Sequence, residues 1–242
     1  MAVALVTGGS RGIGRAVALR LGRDGHDVAV GYATSAEAAE AVAAEVRALG
    51  RAAIAVGADL SDPAAADALV DGVEAGLGPV DVLVANAGVN TPGRRVEEIT
   101  LEEWDRLHAV NLRAPFLLAR RALPGMAKRG FGRIVLLSSV AAYTGGIIGA
   151  HYASSKAGLH GLAHSLSQQG ARDGVTVNVV APALIDSDML PDDPAVRARL
   201  ADSLPVGRLG TADEVADLVA AVVRNPFVTN QSILIDGGRH PT

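Results

Sequence analysis

Cysteine is absent from this chain of 242 residues. The protein therefore has no disulfide bond, no thiolate nucleophile and no thiolate ligand for zinc. Its histidines and carboxylates show no metal-site spacing, and we expect no metal. No apolar run reaches about 18 residues, the length that a membrane-spanning helix needs. The N-terminus enters an apolar run without the basic start of a signal peptide, so we expect a cytoplasmic protein with no membrane contact.

Excess positive charge is also lacking. The chain has 22 Lys and Arg against 26 Asp and Glu, which gives a formal net charge of −4. A nucleic-acid surface or an anionic membrane would require clustered Lys and Arg, and the sequence has no such stripe. We therefore expect no nucleic-acid partner.

The chain also lacks a linker, an internal repeat and a low-complexity segment. Apolar strand-like runs alternate with alanine-rich helical stretches from end to end, which predicts one α/β domain over residues 1–242, with a parallel sheet covered by helices on both faces. The predicted strands are Val3–Val6, Val28–Val30, Ala53–Val56, Asp81–Val84, Arg133–Leu137, Val175–Val180 and Ser232–Ile235.

Glycine is concentrated between the first predicted strand and a stretch of helical periodicity over residues 15–21. The segment reads Thr7-Gly-Gly-Ser-Arg-Gly-Ile-Gly14. Without side chains at Gly8, Gly12 and Gly14, the backbone can approach a pyrophosphate, which the N–H groups and positive end of the following helix would bind. The alternative is a tight turn that binds nothing.

The end of the second predicted strand bears on the choice of dinucleotide. An NAD-binding fold usually places an Asp or Glu here to bind the ribose 2′-hydroxyl, but this chain continues Tyr32-Ala-Thr-Ser35. Arg11 can instead pair with a 2′-phosphate, with Tyr32 and Thr34 nearby. We therefore predict NADP(H) as the cofactor, unless Arg11 is only a solvated surface side chain.

Tyr152 and Lys156 lie one helical turn apart, and Ser138 and Ser139 precede them at the end of an apolar run. A lysine ammonium favours the phenolate, so we expect Lys156 to lower the pKa of Tyr152 from its ordinary value of about 10. This arrangement suits a proton donor to a carbonyl. Only one of the two serines can easily face a cleft, because neighbouring strand residues point to opposite sides.

Asn111 lies in a helical stretch predicted over residues 101–122. Pro115, four residues later, lacks the N–H that would bind the carbonyl of Asn111. That carbonyl is then available to a water molecule, although a proline kink that only eases helix packing is the alternative.

The glycine segment, Asn86-Ala-Gly88, Asn111, Ser139 and Tyr152-x-x-x-Lys156 together resemble the short-chain dehydrogenase/reductase family from Met1 to Gly238. Val175–Pro182, Gly207–Val215 and Ile233–Gly238 resemble the 3-oxoacyl-[acyl-carrier-protein] reductases within it. The resemblance implies a single Rossmann-type doubly wound domain with strand order 3-2-1-4-5-6-7, and a homotetramer.

The resemblance also implies the roles of the residues. Tyr152 would donate the proton, Ser139 would bind the reacting oxygen with Ser138 as the weaker alternative, Lys156 would bind the nicotinamide ribose, and Asn111 would begin a water relay. The implied cofactor contacts are Gly8, Ser10, Arg11, Gly12, Ile13, Gly14, Tyr32, Thr34, Asp59, Leu60, Asn86, Ala87, Gly88, Tyr152, Lys156, Pro182, Ile185 and Ser187.

Two details of these contacts are open. Asp59 would bind the adenine amine, but it can equally cap the following helix. Ala183 stands where the family has glycine, and alanine resists backbone angles that glycine tolerates, so we expect slight crowding beside the nicotinamide.

Residues 183–207 resemble the variable lid over the substrate. The lid is short and acidic, with no clear apolar cradle, and we interpret it as open enough for a carrier-linked acyl chain. The predicted reaction is NADPH-dependent reduction of a 3-oxoacyl thioester on an acyl-carrier protein. One alternative is a ketoreductase or alcohol dehydrogenase of a small free ketone, sugar or secondary metabolite. Another is a redox-sensing binding protein, but the intact catalytic group argues against it.

An acyl-carrier protein is strongly acidic, so an acidic reductase needs a local basic patch to bind it. The candidates are Lys128, Arg129, Arg133 and Arg172; the alternative is that they are solvated charges near helix ends.

Overall fold

The computed structural model describes residues 2–91, 95–187 and 190–240. The strands are β1 (Val3–Thr7), β2 (Asp27–Tyr32), β3 (Ala53–Gly57), β4 (Val80–Ala85), β5 (Gly132–Leu137), β6 (Val175–Pro182) and β7 (Ser232–Ile235). The helices are α1 (Gly12–Arg23), α2 (Ala36–Ala48), α3 (Ala65–Gly76), α4 (Leu101–His108), α5 (Ala114–Arg129), α6 (Ala141–Thr144), α7 (Ala150–Gly170), α8 (Pro194–Asp202) and α9 (Ala212–Arg224).

The seven strands form one sheet with the order β3-β2-β1-β4-β5-β6-β7, and each neighbouring pair is parallel. This confirms the predicted fold class, strand order and position of every predicted strand. Chain order reverses between β1 and β4, so a crevice opens there beyond the carboxyl ends of the strands, where doubly wound sheets bind their ligands.

The core lies in two layers, one on each face of the sheet. Alternate residues of a strand point to opposite faces: Leu5 and Leu83 pack with α3, α5 and α7, while Val6 and Val84 pack with α1, α2 and α9. Because both faces are covered, every residue of β1, β5 and β6 is buried, which explains why these strands read as continuous apolar runs.

The helix predicted over residues 101–122 is interrupted. Thr100 caps α4 by accepting a hydrogen bond from the Glu103 amide, but residues Ala109–Arg113 form a π-helical turn before α5 begins. The amide of Ala114 donates to the carbonyl of Ala109, five residues back. The interruption is the expected effect of Pro115, which has no N–H to continue the α-helical ladder.

Within the described residues, no helix is long and apolar enough to cross a membrane. The same part of the chain holds no group of three or more His, Cys, Asp or Glu residues that could bind a metal ion.

Candidate active site

The glycine turn follows β1 and leads into α1. Gly8 and Gly12 have φ values of +62° and +52°, which side chains rarely adopt. A Cβ atom on Gly14 would lie 2.1 Å from the carbonyl oxygen of Gly8, whereas one on Gly12 would have no neighbour within 4 Å. Gly14 therefore lets the helix pack on the turn, and Gly12 leaves the backbone open to a ligand.

Asn86 joins the end of β4 to this turn. Its side-chain Nδ2 donates to the carbonyl oxygens of Thr7 at 2.9 Å and Gly8 at 3.1 Å. The Thr7 hydroxyl accepts the amides of Asn86 and Ala87 at 3.1 and 3.0 Å. Sequence reasoning gave Asn86 only a ligand contact and gave Thr7 no role. A hydroxyl at the end of a strand, beside a glycine turn, is a signal that could have predicted these hydrogen bonds.

The residues predicted around the cofactor's ribose and adenine lie beyond β2 and β3. Tyr32 ends β2, its ring packs against Gly57, and Thr34 and Arg11 are exposed at the same edge of the sheet. Asp59 Oδ1 accepts the Ser61 amide at 3.0 Å and the Ser61 hydroxyl at 2.8 Å, and these bonds lower the pKa of Asp59. Asp59 thus orders the turn before α3, while Asp62 binds the Ala64 amide nearer the helix start.

The catalytic candidates meet on α7 and at the end of β5. The side chain of Ser139 faces the Tyr152 hydroxyl and favours its phenolate form. The Ser139 Oγ accepts the Ala141 amide at 3.1 Å. Lys156 follows Tyr152 by one turn; its Nζ lies 5.9 Å from the centre of the Tyr152 ring and donates to the Leu137 carbonyl at 2.8 Å. Tyr152 and Lys156 are both buried, with 8% and 5% of their surface exposed.

Burial dominates the protonation of this pair. Burial raises the pKa of Tyr152, and the interaction with Ser139 only partly offsets this rise. Burial also lowers the pKa of Lys156 to about 8. The expectation that Lys156 lowers the tyrosine pKa is therefore wrong for this structure, because desolvation opposes both charged forms. The result is a tyrosine that keeps its proton at neutral pH.

Ser138 faces away from Tyr152 and supports α7. Its hydroxyl donates to the Lys156 carbonyl at 2.9 Å and lies 2.9 Å from Nε2 of His160. The Nδ1 atom of His160 lies 2.8 Å from the Ser232 hydroxyl on β7. The two serines thus divide as the strand alternation predicts: Ser139 binds Tyr152 and Ser138 anchors the helix that carries Lys156.

Asn111 lies in the π-helical turn and is fully buried. Its side-chain Oδ1 accepts the Val89 amide at 2.8 Å, and its Nδ2 donates to the Val89 carbonyl at 2.9 Å and to Ser155 Oγ at 3.2 Å. A Cβ on Gly88 would lie 3.4 Å from both Asn111 Oδ1 and Lys156 Nζ. Asn111 therefore holds the loop after β4 against α7; a water relay from its carbonyl stays a prediction.

His151 and Thr91 form a partly buried contact that sequence reasoning missed. The Thr91 hydroxyl lies 2.7 Å from Nε2 of His151, which is fully buried beside Tyr152, and the ring Nδ1 has no partner among the described residues. Thr91 faces the cleft and His151 supports it from behind.

One cleft of about 660 Å³ connects the start of α1 with the catalytic group. Of the predicted site residues, those on its wall are Ile13, Asn86, Gly88, Ser139, Tyr152, Lys156, Pro182, Ile185 and Ser187. The wall also carries Arg239 and His240 from the C-terminal segment, which sequence reasoning missed because it placed the site in motifs that end at Gly238.

The lid does not have the character that its acidic composition predicted. Leu184, Leu190, Pro191 and Leu200 line the cleft, so the lid's inner face is apolar. Two of its acids are used elsewhere: Asp186 pairs with Arg197, and Asp193 caps α8 by accepting the Ala195 amide at 2.8 Å. Asp188 lies outside the described residues.

Arg197 organises this segment, which the sequence did not indicate. From α8 its guanidinium donates to the carbonyls of Pro191 at 2.7 Å and Ser187 at 3.2 Å. The Ser187 hydroxyl in turn donates to the Ile185 carbonyl at 3.2 Å.

Ala183 directly follows β6 and has a backbone conformation that any residue can adopt. Its amide donates to the Ile235 carbonyl at 3.0 Å, and it is not among the described residues with a positive φ. The backbone at Ala183 is therefore not one that requires glycine, and the expected crowding beside the nicotinamide stays a prediction.

The predicted basic patch needs a correction. Arg133 is buried, and its guanidinium donates to the carbonyls of Val223, Gly132 and Gly174, so it cannot bind a partner. Arg129 pairs with Asp81. Lys128, Arg129 and Arg172 are exposed, but they lie before β5 and β6, at the edge of the sheet opposite Ser139.

Comparison with known proteins fits this architecture. The model of the family described as short chain dehydrogenase matches residues 2–197. The chain is 38% identical over 242 residues to a 3-oxoacyl-[acyl-carrier-protein] reductase of Staphylococcus aureus, covering 98% of this chain and 97% of that protein. It is 37% identical over 244 residues to an acetoacetyl-CoA reductase of Shinella zoogloeoides, covering 98% of each.

A solved structure of a blue fluorescent protein from a metagenomic library, in complex with NADPH, superposes with a TM-score of 0.93 at 39% identity, covering 99% of this chain and 98% of that one. The parallel sheet, the glycine turn and the Ser139, Tyr152 and Lys156 group define an oxidoreductase. The chain belongs to the short-chain dehydrogenase/reductase family.

Proposed function

We propose that this protein reduces a 3-oxoacyl thioester, linked to an acyl-carrier protein, to the 3-hydroxyacyl thioester with NADPH. The observation that carries the proposal is the meeting of Ser139 with the buried Tyr152 and Lys156 on the wall of a cleft that begins at the glycine turn. The similarity to an acyl-carrier-protein reductase and to an acetoacetyl-CoA reductase supports the thioester class.

The residues present fit a nicotinamide dinucleotide. Gly12 leaves open space over the start of α1, suited to a pyrophosphate, and the cleft runs from Ile13 past Gly88 to Lys156 without a carboxylate on its described wall. Arg11, Tyr32 and Thr34 would hold the phosphorylated ribose, and Pro182, Ile185 and Ser187 would hold the nicotinamide. When bound, the reduced nicotinamide supplies a hydride to the carbonyl carbon.

Tyr152 and Ser139 act on the carbonyl oxygen. Both hydroxyls donate hydrogen bonds to it, and the protonated tyrosine transfers its proton as negative charge develops there. The raised pKa of Tyr152 keeps that proton available at neutral pH. Lys156 stabilises the phenolate that forms and would hold the nicotinamide ribose, and Asn111 would begin the water relay that restores the proton.

The coenzyme preference has its own test. Residues 32–35 offer no carboxylate to a ribose 2′-hydroxyl, and the exposed Arg11 lies beside the glycine turn. We expect NADPH to be preferred over NADH, and Arg11→Ala to reduce that preference by about 1–3 kcal/mol, the range for hydrogen bonds to charged groups. The measurement is kcat/KM with each coenzyme at a fixed ketone concentration. Equal efficiencies in the unmodified enzyme would contradict this assignment.

The substrate class is tested with a panel. The loss of NADPH absorbance is followed with acetoacetyl-carrier protein, acetoacetyl-CoA, a small free ketone and a ketose. The proposal expects the highest kcat/KM with the thioesters. The apolar inner face of the lid, from Leu184 to Leu200, also accommodates a small free ketone, and a higher kcat/KM with the free ketone would assign the enzyme to that second class.

A further inference from the structure

The charges on the cleft wall are unequally distributed. Four described residues there are ionisable: Tyr152, Lys156, Arg239 and His240, and none of the described wall residues is a carboxylate. Tyr152 and Lys156 are buried at the catalytic end. Arg239 is exposed to solvent while it lines the cleft, so it lies where the cleft opens.

Arg239 is carried on a turn that Asp236 orders. The carboxylate accepts the Gly238 amide at 3.0 Å, the His240 amide at 2.8 Å and the His240 ring Nδ1 at 3.1 Å. Burial alone would raise the pKa of Asp236, but these bonds outweigh it and the pKa is lowered. Gly237 and Gly238 have φ values of +64° and +84°, which the turn requires. The side chain of Arg239 therefore projects from a fixed backbone.

The guanidinium of Arg239 has no hydrogen-bond or ion-pair partner within the part of the chain that the structure describes. Two arginines near the lid have partners of this kind: Arg197 pairs with Asp186 and Arg208 pairs with Glu214. An arginine held at a cleft opening, with no carboxylate partner among the described residues, is suited to bind an anionic group of the ligand. Its planar fork matches phosphate geometry.

We propose that Arg239, with His240 beside it, binds the phosphate of a phosphopantetheine thioester and so selects such substrates over neutral carbonyl compounds. The inference rests on the proposed thioester reduction and deepens it. Phosphopantetheine carries its charge at the end remote from the reacting carbonyl, with an uncharged stretch between that suits the apolar inner face of the lid. Coenzyme A and a carrier protein both present this phosphate.

The test compares two substrates that differ only in the phosphate, acetoacetyl-phosphopantetheine and acetoacetyl-pantetheine. The unmodified enzyme should show a lower KM for the phosphorylated substrate. Arg239→Gln should raise that KM about 5- to 50-fold at low salt, the range for a charged hydrogen bond reduced for solvent exposure. Arg239→Lys should restore part of the loss, and added salt should shrink the difference.

Arg23→Gln is the matched control, because Arg23 is exposed at the end of α1 and away from the cleft. An equal KM for both substrates in the unmodified enzyme, or an equal rise for both in Arg239→Gln, overturns the inference. The KM values of Arg239→Gln for acetoacetyl-CoA and for acetoacetyl-carrier protein then show which of the two presents the phosphate to Arg239. The KM for the physiological substrate should rise by the larger factor.

Failure of the proposed function is separable from failure of this inference. If no thioester is reduced, the proposed function fails, and calorimetry with coenzyme A itself then decides about Arg239. Binding by the unmodified protein that Arg239→Gln weakens supports the phosphate site. Absence of binding, or unchanged binding in Arg239→Gln, overturns it.

Discussion

At the residue scale, burial controls the protonation of the catalytic pair. Tyr152 and Lys156 contact few polar groups: Ser139 for the phenol and the Leu137 carbonyl for the ammonium. The spacing of four residues predicted the pair, and it correctly placed both side chains on one face of α7. Spacing alone could not predict the direction of the tyrosine pKa, because burial depends on how α6, β5 and the loop after β4 close around it.

The buried ammonium should make the enzyme less stable than it could be. The pKa of Lys156 is about 8 rather than the ordinary 10.5, so at pH 7 the folded state bears a cost of about 3 kcal/mol for the charge. We expect Lys156→Met to abolish turnover but to raise the free energy of unfolding at pH 7 by up to about 3 kcal/mol. Urea denaturation measures the change.

The sign of the pH dependence follows from the same shift. Between pH 8 and pH 10.5 the unfolded chain binds more protons at this lysine than the folded chain, so the unmodified protein gains stability as the pH rises. The advantage of Lys156→Met should therefore shrink across that window. Lys128→Met, at an exposed position on α5, is the control and should change stability by less than about 0.5 kcal/mol. If Lys156→Met were less stable than the unmodified protein at pH 7, burial of the Lys156 ammonium would not be destabilising and the prediction would be wrong.

At the element scale, turns and helix interruptions shape the site. The glycine spacing predicted the turn before α1, and Pro115 predicted an interruption after Asn111. The π-helical form of Ala109–Arg113 and the bonds from Asn111 to Val89 were not predictable, because they need the loop after β4 and α7 in place. The lid was misjudged for a related reason: its composition does not reveal that Arg197 and the cap at Asp193 engage the polar groups and leave leucines facing inward.

Two glycine substitutions distinguish packing from ligand access. Gly14→Ala places a Cβ 2.1 Å from the Gly8 carbonyl oxygen, so we expect a loss of at least about 2 kcal/mol in unfolding free energy together with lost NADPH binding. Gly12→Ala meets no atom within 4 Å and costs only about 1–2 kcal/mol for its left-handed conformation. Urea denaturation and NADPH fluorescence titration measure both variants.

The decisive comparison for each variant is between its loss of NADPH affinity and its loss of unfolding free energy. Gly12→Ala should weaken NADPH binding far more than its stability loss explains, because its methyl group occupies the space that the pyrophosphate would use. Unchanged NADPH affinity in a folded Gly12→Ala protein would mean that the turn does not bind the cofactor.

At the scale of the whole molecule, the sequence predicted strand order through family resemblance and strand positions through apolar runs. It did not predict which charges would be internal. Arg133 was predicted to bind a partner, but it is buried and donates to the carbonyls of Val223 and Gly174. Arg239 lines the cleft, but it lies outside the motifs that the sequence analysis used. Both depend on contacts between segments distant in the chain, which local patterns do not encode.

The expected tetramer has a candidate contact surface on α4 and α5. Leu101, Trp104 and Phe116 are exposed there at 82%, 38% and 44%, next to a groove lined by Ala109 and Leu112. Exposed apolar side chains in one area are typical of protein contacts. We expect Phe116→Glu to lower the mass measured by light scattering, while Leu49→Glu, at the end of α2, leaves it unchanged. A monomeric unmodified protein, or an unchanged mass in Phe116→Glu, would contradict this expectation.

The central claim is that Tyr152 is the proton donor in an NADPH-dependent carbonyl reduction. Its most direct test measures turnover of an acetoacetyl thioester and NADPH affinity in Tyr152→Phe, which removes one hydroxyl and little of the cleft surface. We predict a fall in kcat by a factor on the order of 10³ or more, with NADPH affinity within about twofold of the unmodified enzyme. A Tyr152→Phe enzyme that keeps most of its turnover would contradict the claim.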